Sequence, residues 1–138
     1  MATRQKKVLV VDDEQDVLTY LSTLLGDAGY AVEVAKDGQQ AIELALRDPP
    51  DLVSLDITMP EKTGVKFYRE IRDNPATSKI PIVIVTGITN PWASPSGRGG
   101  FKDFISSRRQ VPPPDGYFEK PIVPAEYLQK IAELIGPP

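Results

Sequence analysis

Three short aliphatic runs, each cut off by a polar side chain, constrain the fold of this chain more than any other feature. Val8-Leu9-Val10-Val11 stops at Asp12-Asp13, Leu52-Val53-Ser54-Leu55 stops at Asp56, and Ile80-Pro81-Ile82-Val83-Ile84-Val85 stops at Thr86. Runs of this length, rich in β-branched residues and bounded by turn signals, read as strands buried in a sheet. Pro81 fits only near the start of its strand, because it has no N–H to give to a ladder.

Between these runs the apolar spacing changes. Val17, Leu18, Leu21, Leu24, Leu25 and Ala28 recur at helical intervals, and Gly29 supplies a stop. Tyr30 to Ala35 alternates loosely, as a second strand. Asp37 is placed to cap a helix carrying Ala41, Ile42, Ala45 and Leu46, which ends before Pro49-Pro50. Val65, Tyr68 and Ile71 give one face of a third helix. Tyr117 to Lys120 reads as a short fifth strand. Ala125 to Ile135 reads as a final helix, with Leu128, Ile131 and Leu134 or Ile135 inward.

Strands alternating with helices predict an α/β fold with a parallel sheet covered on both faces. The expected architecture is flavodoxin-like and doubly wound, with five strands ordered 2-1-3-4-5. At 138 residues the chain reads as one domain, with its core over 6–136. The stretch 88–116 breaks the rhythm: it holds Asn90-Pro91-Trp92-Ala93-Ser94-Pro95-Ser96-Gly97, a possible short helix over 101–110, and Pro112-Pro113-Pro114. A connection this long and irregular is either a surface excursion or a partner surface.

Composition narrows the chemistry. The net charge of −3 argues against a nucleic-acid footprint, which is normally basic. With no Cys there are no disulfides or thiolate metal sites, and a reducing compartment fits. With no His, the chain has no imidazole base or ligand, and a bound metal must be held by oxygen, which favours Mg2+, Mn2+ or Ca2+. The apolar run after Lys6-Lys7 is too short for a signal peptide or a membrane span, so a cytoplasmic protein is expected.

In a sheet ordered 2-1-3-4-5 the strand ends bring Asp12, Asp13, Asp56, Thr86 and Lys120 into one crevice. Like-charged pairs at 4 Å cost roughly 4 kcal/mol each at an effective dielectric of 20. A magnesium ion and the compact charge of Lys120 would relieve that crowding. A carboxylate so neutralised is a reasonable nucleophile toward phosphorus, with the Thr86 hydroxyl able to donate to a phosphoryl oxygen. Taken singly these residues have plainer readings: Asp56 as a turn residue, Asp12 or Asp13 as the cap of the first helix, Thr86 as a strand-end hydroxyl, Tyr117 as core, Lys120 as a solvated surface side chain.

Val10-Val11-Asp12-Asp13-Glu14, Leu55-Asp56-Ile57-Thr58-Met59-Pro60, Val85-Thr86-Gly87 and Phe118-Glu119-Lys120-Pro121 together resemble the receiver domain of two-component response regulators. The resemblance implies that Asp56 accepts phosphate from a partner's phosphohistidine, in a sensor histidine kinase or a phosphotransfer protein. It implies Mg2+, with Mn2+ as a substitute, held by Asp12, Asp13, Asp56 and the main-chain carbonyl of Thr58. It further implies that Lys120 contacts the phosphate across a cis Lys120-Pro121 bond, and that Thr86 and Tyr117 form a switch pair. The expected product is a phosphorylated signalling domain rather than a turnover enzyme, a monomer or weak dimer that acts on a downstream protein and not directly on nucleic acid.

Two departures and two other function classes remain. The region from Ile88 to Tyr117 is longer than the family's, which bears on the surface that partners read. Ile88, two beyond Thr86, cannot orient a water, so slow loss of the phosphoryl group is expected. A receiver-like binding module that does not switch by phosphate would leave Asp56 dispensable. An aspartyl phosphohydrolase similar to haloacid dehalogenases would want a second Asp where Thr58 stands, and a dinucleotide site would want a Gly-rich first turn.

Overall fold

β1 (Lys7–Val11) and β3 (Leu52–Leu55) are buried along their whole length, and the sheet is built outward from them. In the computed structural model, which describes residues 5–56, 63–86 and 114–138, five parallel strands are ordered β2-β1-β3-β4-β5. The remaining strands are β2 (Ala31–Ala35), β4 (Ile82–Thr86) and β5 (Gly116–Glu119). Four helices are described: α1 (Gln15–Ala28), α2 (Gly38–Arg47), α3 (Thr63–Asp73) and α4 (Pro124–Ile135). This is the flavodoxin-like, doubly wound α/β arrangement that the alternating pattern predicts.

Because strand side chains alternate between faces, the central strands feed two cores. Leu9, Val11, Val53, Leu55, Ile82 and Ile84 pack with Ala41 and Ala45 of α2 and with Phe67, Tyr68 and Ile71 of α3. Val8, Val10, Leu52, Val83 and Val85 pack on the other face, with Leu18, Leu21 and Leu25 of α1 and Tyr127 and Ile131 of α4. Each fully buried aliphatic side chain contributes about 1.5–3 kcal/mol by leaving water. Strands without an exposed face therefore need helices on both sides.

Local signals explain most of the boundaries. Asp37 accepts the Gln40 N–H at 2.7 Å and caps α2, as its side chain suggests. Gly29 closes α1 at φ 112°, a left-handed conformation that glycine adopts without steric cost. Pro81 precedes β4, which starts two residues later, at Ile82, than a run beginning at Ile80 suggests.

Several expectations need correction. Leu46 is 49% exposed rather than inward, because the buried face of α2 runs through Gly38, Ala41 and Ala45 and turns Leu46 away from it. Neither Asp12 nor Asp13 caps α1: Glu14 stands at the cap without a side-chain bond, and Asp12 instead accepts the Glu14 N–H at 2.9 Å. Tyr127 and Phe67 are fully buried although the helical spacing pointed elsewhere. The possible helix over 101–110 and most of the irregular stretch 88–116 lie outside the described residues, as does the Val65 side chain; the end of that stretch, Gly116, already belongs to β5.

Candidate functional site

Parallel register brings the candidate carboxylates together. Val11 pairs with Leu55, so the next residues, Asp12 and Asp56, leave neighbouring strands side by side. Their main chains are fixed in turn, with Asp12 N–H donating to Ala35 O at 3.1 Å and Asp56 N–H donating to Val11 O at 2.9 Å. Both side chains are buried, with 1% of each residue exposed, while Asp13 faces solvent. Carboxylate oxygens of Asp12, Asp13 and Asp56 all lie within 4.8 Å of one another.

Lys120 approaches from the far side of β4. It follows β5, two strands from β3 and so roughly 10 Å away at ordinary strand spacing, a gap that only a long side chain crosses. Its Nζ lies 2.8 Å from Asp12 Oδ2, 3.4 Å from Asp56 Oδ2 and 3.7 Å from Glu14 Oε1. The Lys120-Pro121 peptide is cis.

The electrostatics follow from crowding in a dry place. Burial raises the pKa of Asp12, and the charge of Asp56 adds to the rise; hydrogen bonds from Lys120 and the Glu14 N–H oppose it without cancelling it. Burial alone would lower the pKa of Lys120, but its hydrogen bond to Asp12 and the negative charges beside it win, and the net shift is upward. Lys120 is thus held as an ammonium among an excess of carboxylates.

Thr86 ends β4, its main chain paired with Glu119 on β5, and its side chain lies outside the described residues. Thr58 and Ile88 lie outside them altogether. Tyr117 pairs with Ile84 across β4–β5, and its half-buried ring packs against the core shared with α2 and α3. Burial, with the charge of Glu119 added, pushes its phenol up to about 12.

Glu14, which sequence reasoning quoted but gave no role, stands at the rim within reach of Lys120; its position directly after Asp12-Asp13 was the available signal. A buried pair, Tyr127 with Ser54, was not anticipated and lies two residues from Asp56.

The response regulator receiver domain model matches residues 8–106 of this chain. The chain belongs to the response regulator receiver domain family. That match stops before β5, so Lys120 is placed by the structure and not by the family model. The receiver fold is shared over nearly the whole chain: the chemotaxis protein CheY4 of Vibrio cholerae superposes with TM-score 0.75 at 28% identity, covering 95% of this chain and 99% of that one. Among curated relatives, the protein Rrf1 of Nitratidesulfovibrio vulgaris is 30% identical over 122 residues, which is 88% of this chain and 77% of Rrf1. A probable cyclic di-GMP phosphodiesterase of Vibrio cholerae is 39% identical over 87 residues, 63% of this chain. The receiver spans only 20% of that larger relative, and 22% of the response regulator PleD of Caulobacter vibrioides. No helix among the described residues is long and apolar enough to cross a membrane.

Proposed function

We propose that this receiver domain accepts a phosphoryl group on Asp56 from a phosphohistidine of a sensor histidine kinase or phosphotransfer protein, and in that form acts on a downstream protein in the cytoplasm. The observation that carries the reading is the meeting of Asp12, Asp13 and Asp56 within 4.8 Å, with the Lys120 ammonium 3.4 Å from Asp56. A carboxylate oxygen of Asp56 attacks phosphorus, the O–P bond forms as the P–N bond breaks, and the imidazole leaves with a proton taken from solvent. Lys120 draws the phosphoryl oxygens toward Asp56 and offsets the charge that gathers there.

The donor set suits a hard cation. Its atoms are all carboxylate oxygens, and among the described residues three carboxylates face the Lys120 ammonium, a negative surplus that Mg2+, or Mn2+ in its place, would balance. Asp12, Asp13 and Asp56 would hold the ion, with the Thr58 carbonyl as a further proposed ligand. Bound there, Mg2+ supplies positive charge against the transferring phosphoryl oxygens. Thr86 and Tyr117 are proposed to relay the phosphorylated state to the surface.

An open apolar groove of about 420 Å³, lined by Val17, Tyr20, Leu21, Pro121 and Ile122, shares Lys120 with the site. A donor protein seated there would have its phosphohistidine next to Asp56.

Intact mass after incubation with phosphoramidate and Mg2+ tests the reading. The wild-type chain is expected to gain one phosphoryl group, and both Asp56→Asn and omission of Mg2+ to abolish the gain. A mass increase that survives in Asp56→Asn would move the acceptor elsewhere, and a wild-type chain that takes up nothing would end the proposal.

A further inference from the structure

Among the described residues, the core beneath the site contains a polar bridge that neither the fold nor the acceptor chemistry accounts for. Tyr127 of α4 is fully buried, and its hydroxyl donates to Ser54 Oγ at 2.8 Å. Ser54 is itself buried on β3, two residues before Asp56. The same Tyr127 ring meets Phe118 edge-on, with centroids 5.6 Å apart and planes at 71°. Phe118 lies on β5, two residues before Lys120. One side chain therefore touches both strands that deliver the interacting pair at the site, across the intervening β4.

Stability alone is a poor reason for such a bridge. Two hydroxyls buried among Val83, Val85, Leu52 and Ile131 contribute little net free energy, and an apolar pair of the same shape would pack as well. What a hydrogen bond adds is a fixed distance and direction. Burial raises the pKa of Tyr127, opposed only in part by the bond to Ser54, so the phenol stays protonated and remains the donor.

Resting on the reading of Asp56 as phosphoacceptor, we propose that Tyr127 is a positioning residue for phosphoryl transfer: its hydroxyl on Ser54 and its ring on Phe118 hold β3 and β5 at the separation that sets Lys120 against Asp56. It touches neither the phosphoryl group nor the metal ligands. Its effect is on the alignment of two groups that do, and a displacement on the order of 1 Å is enough to slow such a step about a hundredfold.

The test compares the full chain as wild type, Tyr127→Phe, Ser54→Ala and the double variant, with phosphoramidate and Mg2+. Both the phosphorylation rate and the thermal midpoint are read. Tyr127→Phe keeps the ring and strands the Ser54 hydroxyl. It is expected to lower the maximal rate about tenfold, with the donor concentration at half-maximal rate unchanged. Its midpoint should fall as well. In the double variant both polar partners are gone, so the midpoint should return to the wild-type value or above, while the rate stays low. A rate that recovers together with the midpoint would make the pair merely structural and overturn the proposal, as would an unchanged rate in Tyr127→Phe. Wild-type chain that takes up no phosphate overturns the acceptor reading and this proposal together; labelled wild type with a full-rate Tyr127→Phe overturns this one alone.

Discussion

The two ends of the sheet are both lined with charge, and the charges are arranged in opposite ways. At the amino ends of the strands two buried cations, Lys7 and Arg72, are met by carboxylates and carbonyls. Lys7 Nζ lies 2.7 Å from Asp48 Oδ2 and 2.9 Å from Glu33 Oε1, while the Lys7 N–H donates to Asp51 Oδ2 at 2.8 Å. Arg72, on α3, lies 2.9 Å from Asp115 Oδ2 and donates to the carbonyls of Ser78 and Ile80 at 3.0 and 2.6 Å. At the carboxyl ends, among the described residues, Asp12, Asp13 and Asp56 gather around the Lys120 ammonium. The first arrangement holds strand starts in place. The second is costly to fold and leaves a surplus of carboxylate charge, on which the proposed cation and phosphoryl chemistry rests, so the stabilising pairs and the proposed chemistry lie at opposite ends of the same strands.

The largest expected effect tests the amino end. Arg72 has 4% of its side chain exposed, and Asp115, its partner, also accepts the Ile82 N–H at 2.9 Å, so the pair ties α3 to the starts of β4 and β5. Removing one member of a buried ion pair costs about 3–5 kcal/mol. Asp115 is 36% exposed and can regain water, which holds Arg72→Ala to the low end, about 3 kcal/mol in urea unfolding. A loss below about 1 kcal/mol would mean that the strand starts are held without it.

Lys7 comes next. Lys7→Met keeps the buried stem and removes the charge, and its partners Glu33 and Asp48 are solvated enough to limit the loss to about 1 kcal/mol at neutral pH. Burial pulls the pKa of Lys7 down, but the hydrogen bonds and charges of Asp48 and Glu33 outweigh it, and the folded value lies above the ordinary one. A raised folded pKa means that the native state keeps the proton longer than the unfolded chain. The stabilisation is thus complete below about pH 10.4 and lost as pH climbs through the folded value. The stability gap between wild type and Lys7→Met should hold steady from neutral pH to about pH 10 and narrow above it. A gap that is flat throughout would remove the charge from the explanation.

These two ends differ also in how far they can be read from the chain. Asp12 and Asp56 are legible as places where apolar runs stop, because parallel pairing converts that local signal into proximity, and Lys120 is legible from the Phe118-Glu119-Lys120-Pro121 motif at the end of a short strand. Asp37 is legible because a cap acts three residues away. The amino-end pairs are not: Lys7 finds Asp48 across 41 residues and Arg72 finds Asp115 across 43, and no spacing rule announces such partners. Tyr127 was missed for a related reason. Helical spacing fits either Leu128 or Tyr127 as the inward residue with Ile131, and what decides for Tyr127 is a hydroxyl on Ser54, 73 residues earlier. Thr86, Thr58 and Tyr117 keep their proposed roles on the strength of the motif, with the Thr86 side chain and all of Thr58 outside the described residues.

The smallest expected effect has the opposite sign. Asp56→Asn keeps the shape of a buried side chain and removes its charge. It relieves repulsion from Asp12 and Asp13 and gives up the attraction to Lys120 at 3.4 Å, while Lys120 keeps its closer partner Asp12 at 2.8 Å. At an effective dielectric of 20, like-charged pairs near 4 Å cost roughly 4 kcal/mol each, and relief of the repulsions from Asp12 and Asp13 is expected to outweigh the lost attraction to Lys120. Solvent around Asp13 weakens its share, and a net gain of about 1 kcal/mol, or about 4 °C in thermal midpoint, is expected without added metal. Saturating Mg2+ should shrink that gain or reverse it, because an ion held as proposed would bind the folded wild type and lose one ligand in the variant. If Asp56→Asn is instead destabilising in metal-free buffer, the carboxylates at this end are already balanced, and the contrast between the two ends of the sheet fails.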